Sequence, residues 1–543
     1  MSTLPLISIV VPNMSGMEHL PECFASLAAA DYPLDRQEWI LSDNGSRDES
    51  LAFIRREYPR TRIVDNGGNI GFARGCNAGA QAATGEYVVF LNNDTRVHPG
   101  WLHGYLSALA RDPDAVCAAS YMRSWDDTES DFNGCTANLF GVGRQQAVVG
   151  WPDCPAGPGE GDPLLFACGG AMLIRRDVFL AVGGFDPSFF IYFEDVDLGW
   201  RLWVLGHRVV FAPGSIVYHK EGGTTGAKRA PSHRRYLLFE ANTLCAVFKN
   251  YAGEAEDRVL PAALLLELQR ALLAAGDAVD PEHYRLGGSA GAGAPDNGHP
   301  AALPPMTVAH LLALRRLDER LPHLVAERAR IQAARRRPDS AILPLFRRPF
   351  QPQFAGARYA GIMRRIAAAL DLYPLVAGAA PSRVLLLSPE TGPDRARAAA
   401  LAAILGDEFL VQTATNSGPA AGWTLPAPPG PRPDGFPPPT APELAATADL
   451  LLAVGAAVPA AATLAPAVPL AADVATRSPG SISSAWRATL AERAGLLICA
   501  DPATAAAWHA ALPDLPVAVQ PDGAPLDATL RHYCRYPLHG RPA

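Results

Sequence analysis

The feature that most constrains the fold is an alternation running through the first half of the chain. Short β-branched runs stop at polar residues and are separated by stretches of helical period. Ile7-Ser8-Ile9-Val10-Val11-Pro12 leads into residues 17–30, where Leu20, Phe24 and Leu27 share one helical face. Trp39-Ile40-Leu41 predicts a second strand, closed by Ser42-Asp43-Asn44-Gly45-Ser46. A helix over 50–58, a strand over 61–64 and the strand Tyr87-Val88-Val89-Phe90-Leu91 follow, the last ending on Asn92-Asn93-Asp94. Strands connected through helices build a parallel sheet in the α/β class. Such sheets bind ligands outside the carboxyl ends of their strands.

The remainder predicts more than one domain. A single core stops growing at roughly 250–300 residues, and this chain has 543. Residues 254–372 are mostly of helical period, interrupted by a Gly/Ala/Pro-rich loop over 287–305. A smaller α/β pattern opens at Arg383-Val384-Leu385-Leu386-Leu387-Ser388 and contains a proline-rich run, 426–440, that holds no regular structure. The expected division is 1–250, 251–380 and 381–543. A net charge of −7 with mixed signs argues against nucleic acid as a partner. Nine cysteines, none in a C-x-x-C pair, read as reduced thiols of a cytoplasmic protein. The N-terminus has no basic segment or cleavage site and reads as a strand. The longest uncharged run, between Asp449 and Asp473, is interrupted by Pro459, Pro466 and Pro469, and reads as buried and not as a membrane span.

Chemistry concentrates at the strand ends. Asn13 and Asp43 end neighbouring strands, where a carboxylate accepts from a base N–H or a ribose hydroxyl, although Asp-Asn-Gly-Ser is also ordinary turn chemistry. Gly67-Gly68-Asn69-Ile70-Gly71-Phe72-Ala73-Arg74-Gly75-Cys76-Asn77 allows close backbone approach to a ligand, with Arg74 suited to a diphosphate. Asn92-Asn93-Asp94 suits a hard divalent cation that also holds substrate phosphates, or alternatively a turn or helix cap. Glu194, Asp195 and Asp197 follow an aromatic run at a helix start. The dipole favours anions there, and desolvation raises a carboxyl pKa toward that of a general base. His219 follows the strand 209–211 and its turn, beside Gly222-Gly223-Thr224-Thr225.

The ordered series ISIVVPN, DNGSRDES, GGNIGFARGCNAG, VVFLNNDTRV, CGGAMLIRRDVF with GGFD, FFIYFEDVDLGWRLW and VYHKEGGTT resembles the family 2 inverting glycosyltransferases of GT-A fold, in particular their rhamnosyltransferase-like branch. The resemblance covers residues 5–250. It implies that Pro12, Asn13 and Asp43 hold the nucleotide, and that Asn69, Gly71, Arg74 and Asn77 line the nucleotide and diphosphate site. Asn92 and Asn93 stand beside Asp94 on the donor side. Asn92 takes the place of the first acid of the family's D-x-D, and Asp94 that of the second. Asp94 and His219 would hold a divalent cation, Mg²⁺ or Mn²⁺. Asp195 would be the catalytic base and Glu194 its neighbour at the acceptor site, over a floor of Gly169, Gly170 and Ala171. The implied partners are a nucleoside-diphosphate sugar donor and a glycan or lipid-linked glycan acceptor. Peripheral contact with the inner face of a membrane is compatible with them. Residues 383–525 resemble, more faintly, the N-terminal half of a GT-B glycosyltransferase, a degenerate Rossmann-like domain without its donor-binding half.

Two other classes compete. A non-catalytic scaffold of the same fold would usually have lost one of Asp94, Asp195 and His219, and all three are present. A nucleotidyltransferase needs a Gly-rich loop with Arg and Lys after the first strand, where this chain reads Pro12-Asn13-Met14-Ser15-Gly16-Met17-Glu18.

Overall fold

Ile7–Asn13 (β1) is buried almost throughout, as expected of a central parallel strand covered on both faces. It pairs in parallel with Gln37–Asp43 (β2) on one side and with Tyr87–Leu91 (β4) on the other. The pairing with β4 covers only Ile7 to Val10, so the missing N–H of Pro12 falls beyond it. Arg62–Asp65 (β3) extends the sheet beyond β2. The computed structural model describes residues 4–147, 157–220, 233–276, 303–353 and 357–376. Further along it describes 383–389, 392–406, 409–416, 423–424, 450–454, 470–475, 494–512, 517–521 and 524–528, with 448, 457, 477, 479 and 530 singly. The Gly222–Thr225 loop, the run 426–440, most of the loop 287–305, Cys154 and Cys534 lie outside the described residues.

Thr95–Val97 (β5), Ala115–Ser124 (β6), Ser130–Phe132 (β7), Ala171–Arg175 (β10) and Arg208–His219 (β11) complete a nine-stranded sheet. Its order is β3-β2-β1-β4-β10-β6-β11-β5, with β7 on β6. Thr136–Ala137 (β8) and Gly143–Arg144 (β9) form a separate small ribbon. The parallel expectation holds for the first four strands and stops at β10, which runs antiparallel to both β4 and β6. That reversal matters for the site, because it sets the residues entering β10 beside the end of β4. His219 was expected after a turn. It is instead the last residue of β11, a long strand whose register shifts between Ala212 and Ile216.

Helices Leu20–Ala28 (α1), Ser50–Glu57 (α2), Phe72–Ala82 (α3), Trp101–Arg111 (α4), Arg176–Ala181 (α5) and Glu194–Val204 (α6) accompany this sheet. Phe90 of β4 is fully buried against Phe179 and Phe185, with ring centroids 4.9 and 5.1 Å away. Truncating such a ring costs about 3–5 kcal/mol.

The middle region is helical, as its periodicity predicts: His233–Asn250 (α7), Gly253–Ala275 (α8), Pro305–Ala333 (α9) and the short Asp339–Ile342 (α10). A buried ion network ties three of them. Glu267 of α8 meets His310 of α9 at 3.0 Å, and Arg270 of α8 pairs with Glu267 and with Glu240 of α7. Glu240, Glu267 and His310 are grouped closely enough for a metal ion, but the Arg270 guanidinium already pairs with both carboxylates. Among the described residues no helix is long and apolar enough to cross a membrane, and all seven described cysteines are buried.

The chain divides into two compact units, Met1–Gln146 with Pro158–Phe346, and Ala147–Gly157 with Arg347–Ala543. The second holds helices Ala357–Ala369 (α11), Tyr373–Val376 (α12), Pro393–Gly406 (α13) and Pro502–Ala511 (α14). Its sheet comprises Arg383–Pro389 (β12), Leu410–Asn416 (β13), Trp423–Thr424 (β14), Leu450–Val454 (β15), Leu470–Ala475 (β16), Ala494–Cys499 (β17) and Val517–Val519 (β18). The order β14-β13-β12-β15-β16-β17-β18 is that of a doubly wound sheet, parallel except for β14. Both described ends of the uncharged run are therefore sheet strands, β15 and β16.

Candidate active site

The strand order of the first unit reverses between β1 and β4, the place where an open α/β sheet leaves a crevice. Asn13 ends β1 directly opposite Asp43 of β2. The Asn13 amide donates to Ser46 Oγ at 2.9 Å, and its Oδ1 accepts from Asn93 Nδ2 at 2.7 Å across the reversal. Asp43 Oδ2 accepts from the backbone N–H groups of Gly45 and Ser46 at 3.0 and 2.9 Å, and its Oδ1 from Ser46 Oγ at 2.5 Å. Asn13, Asp43 and Asn93 are buried. Side chains from three successive strand ends are thereby locked into one polar floor, and Ser46, which the sequence did not single out, links two of them.

Gly71 opens α3 with φ +87°, and a Cβ on it would lie 2.6 Å from the Phe190 carbonyl oxygen. Only glycine accepts both that backbone and that neighbour. Asn69 Oδ1 accepts from Gly71 N–H at 3.0 Å and shapes the turn. Arg74 lies at the exposed rim, with Nε donating to the Pro187 carbonyl at 3.2 Å. Asn77 is drawn elsewhere: its amide donates to Phe185 O at 2.8 Å and its Oδ1 accepts from Phe185 N–H at 2.9 Å. Its side chain thus ties α3 to the loop before α6.

Antiparallel β10 brings the glycine pair to the end of β4. Asn92 N–H donates to Gly170 O at 2.9 Å, and a Cβ on Gly170 would come within 2.9 Å of the Asn92 amide. Gly169 N–H donates to Asp195 Oδ2 at 3.0 Å, while Asp195 Oδ1 accepts from Val196 N–H at 2.8 Å. Asp195 keeps part of its surface open, whereas Glu194 is 5% exposed and its Oε2 has no hydrogen-bond partner among the described residues. Burial raises the Asp195 pKa, and the two N–H donors only partly oppose it. Burial, then the Asp195 charge, hold Glu194 well above the ordinary carboxyl range.

Asp197, one turn into α6, has a different part. It is fully buried, paired with Arg201 at 3.0 Å and Lys249 at 3.0 Å, and accepts from Asn250 at 3.0 Å. Its carboxylate anchors the helix in the core and does not join Asp195 at the surface.

Asp94 and His219 are brought together by β5 and β11, which pair His219 with Thr95. Asp94 Oδ1 lies 3.3 Å from His219 Nε2, and Asp131 Oδ2 of β7 lies 2.5 Å from His219 Nδ1. Burial works against charge on this ring, but Asp131 and Asp94 outweigh it and push its pKa up to about 10. Asp131 has no signal in the sequence. A divalent cation fits this donor set: one carboxylate and one imidazole nitrogen converge, and the other ring nitrogen is oriented by a second carboxylate, the usual outer shell of a metal-bound histidine.

Residues 8–183 match Glycosyl transferase family 2. The chain is 30% identical over 264 residues to an N-acetylglucosaminyl-diphospho-decaprenol L-rhamnosyltransferase of Mycobacterium tuberculosis, covering 44% of this chain and 84% of that protein. It is 28% identical over 243 residues to the O-antigen biosynthesis protein RfbC of Myxococcus xanthus, covering 44% of this chain and 19% of that one. Among solved structures it is similar to GalNAc-T7 with UDP, GalNAc and Mn²⁺, at 18% identity and TM-score 0.39 over 48% of this chain and 51% of that one. A mannosyltransferase of Pyrobaculum calidifontis in complex with GDP-Man and Mn²⁺ is 16% identical, at TM-score 0.36 over 58% of this chain and 88% of that one. The family match holds the ends of β1, β2 and β4, the rhamnosyltransferase is 30% identical with 84% of its length covered, and on that ground the chain belongs to glycosyl transferase family 2, a glycosyltransferase with the α/β architecture of the GT-A class.

Proposed function

We propose that the enzyme transfers a sugar from a nucleoside diphosphate to a hydroxyl of a glycan or lipid-linked glycan, with inversion, and that Asp195 is the general base. The observation that carries this reading is the Asp195 carboxylate at the head of α6, on a residue that keeps part of its surface exposed, aimed by Gly169 N–H and made more basic by burial. In the proposed reaction the acceptor oxygen bonds to the anomeric carbon as the bond from that carbon to the phosphate oxygen breaks. The bonding pair leaves with the diphosphate, and the hydroxyl proton passes to Asp195. One displacement inverts configuration. Pro12, Asn13 and Asp43 would seat the nucleoside, Asn69 and Gly71 would shape the diphosphate turn, and Arg74 would approach it from the rim. Asn77 would act through the Phe185 backbone, holding α3. Asn92, Asn93, Gly169 and Gly170 would form the floor beneath the reacting carbon, and Glu194 would shape the acceptor side. Asp94 and His219 would hold a divalent cation, which when bound supplies positive charge for the departing diphosphate.

The acceptor reading draws on the rhamnosyltransferase whose name specifies a decaprenol-linked acceptor. Contact with a membrane surface belongs to the same proposal and is checked by cosedimentation with anionic vesicles. Residues 1–250 would carry transfer, 251–380 would be a helical extension and 381–543 a truncated GT-B-like domain.

A hydrolysis screen over UDP-, GDP- and dTDP-sugars with Mn²⁺ or Mg²⁺ should identify a donor. Asp195→Asn should then lower kcat by about 10²–10⁴-fold, with donor binding nearly unchanged. Wild-type turnover in Asp195→Asn would remove Asp195 from the role of base.

A further inference from the structure

The segment that delivers α6 to the site is strained. Phe190, Tyr192 and Phe193 have φ of +65°, +72° and +66°, the left-handed region that bulky side chains avoid. Asp195 follows two residues later, so the direction of its carboxylate depends on what keeps this segment in place. Gly71 and α3 supply one side, with Ala73 N–H donating to Phe190 O at 3.2 Å. The other side is α7. Asn242 of α7, fully buried, directs its single amide group at the carbonyls of Phe189, Ile191 and Tyr192, at 3.1, 3.1 and 2.7 Å. An amide has two hydrogens, so three acceptors converge on one donor group. Its orientation is fixed from behind: Arg320 of α9 donates to Asn242 Oδ1 at 2.9 Å, and a guanidinium has no acceptor that would tolerate the flipped amide. Phe239, one turn before Asn242, stacks on Tyr192 at 4.7 Å and meets Phe193 edge-on at 5.4 Å.

We infer that Asn242, oriented by Arg320, is a positioning residue for Asp195. Because Arg320 belongs to α9, the helical extension is then part of the catalytic apparatus. Asn242 touches no reacting atom. It holds the left-handed segment whose geometry sets the first turn of α6, and through it the contact between Asp195 and Gly169. This inference rests on Asp195 being the base.

The test uses the full chain and a set of substitutions. Asn242→Asp keeps the shape and loses the donor, Arg320→Met removes the orienting cation, and Arg320→Lys restores one. Arg320 is only half-buried, so its variants keep the test open should Asn242→Asp fail to fold. Peptides spanning 189–200 should exchange amide hydrogens roughly tenfold faster in Asn242→Asp and Arg320→Met, while peptides from β1 and β4 stay protected. With the donor found in the screen, kcat should fall by about 10²-fold with KM little changed, the scale expected of a misplaced catalytic group. Arg320→Lys should recover most of it. Adding Asn242→Asp to Asp195→Asn should cost nothing further, because both act through the same carboxylate. Unchanged exchange over 189–200, or a kcat that stays at wild type in folded Asn242→Asp and Arg320→Met, overturns the inference. If Asp195→Asn itself turns over normally, it is the base assignment that fails, and the exchange result still reports whether Asn242 holds the segment.

Discussion

At the scale of single residues, His219 lies between two carboxylates that would do different work. Asp94 shares the Nε2 side and Asp131 the Nδ1 side. A cation taking Nε2 leaves Nδ1–H to donate to Asp131, which fixes the ring and raises its basicity. Asp94→Ala should therefore abolish transfer without unfolding the chain, whereas Asp131→Asn should weaken Mn²⁺ binding by about 10–100-fold and leave turnover at saturating Mn²⁺ close to normal. Mn²⁺ titration followed by turnover distinguishes the two, and full activity in excess EDTA would remove the metal from the reading. Asn13, Asp43 and Asp94 were legible in the sequence because each follows an apolar run within three residues, so its place at the sheet edge follows from the strand alone. Asp131 was not legible. It is 88 residues from His219 along the chain, in a stretch without periodicity, and only the pairing of β7 with β6 brings it near. Asn77 was read from a glycine-rich motif as a ligand contact, but the backbone of Phe185 engages both ends of its amide.

Among the elements, α6 has a wet end and a dry side, and the dry side rests on two buried cations, Arg201 and Lys249. Lys249 of α7 is fully buried between Asp186 at 2.5 Å and Asp197 at 3.0 Å, and Asp186 also meets His323 of α9 at 3.1 Å. Removing one partner from such a network leaves buried charge uncompensated, at about 3–5 kcal/mol. Lys249→Met should destabilise the first unit by that order in urea denaturation, while the smaller loss expected of an exposed pair such as Arg315 with Glu319 stays under about 1 kcal/mol. Burial pushes the Asp186 pKa up, but Lys249 and the Ser188 N–H outweigh it and hold the carboxyl well below its usual range. A depressed folded-state pKa means that this stability is complete above the unfolded value near about 4 and drains away as pH falls below it. Asp186→Asn should be less stable than wild type at neutral pH and show a flatter loss between about pH 4 and 2. An identical slope in the two proteins would show that Asp186 is not linked to folding. The sequence announced α6 by its acidic start but gave no sign of how α7 is used. Five of that helix's buried positions, Glu240, Asn242, Thr243, Lys249 and Asn250, are polar, which dilutes the apolar period by which a core-facing helix is recognised. The reversal at β10 was hidden for a related reason: a short buried run carries no mark of strand direction.

For the whole molecule, the question is whether the second unit takes part in transfer. Its sheet has the order of a nucleotide-binding fold, yet the first turn of one of its helices and the cap of another carry acid. The first turn of α13 carries Asp394, paired with Arg477 at 2.8 Å, and Asp501 caps α14 by accepting from Thr504 N–H at 2.9 Å. Helix N-termini attract anions, and a carboxylate there opposes a phosphate by charge, in Asp501 also by taking a helix N–H. The second unit should therefore bind no nucleotide sugar. Its own stability depends on Asp473, fully buried within β16 and paired with Arg397 of α13 at 2.8 Å. Asp473→Ala takes the carboxylate from the buried Arg397 guanidinium and should destabilise the second unit by about 3–5 kcal/mol, lowering its melting transition. The transition of the first unit, and turnover below both transitions, should stay at wild type. In calorimetry of the full chain, a bound nucleotide sugar with Mn²⁺ should raise only the transition that Asp473→Ala leaves untouched, by the mass action of a ligand that sees one folded unit. A donor that raised both transitions, or an Asp473→Ala chain that kept its first transition but lost turnover, would place the second unit in the reaction and end the single-site account.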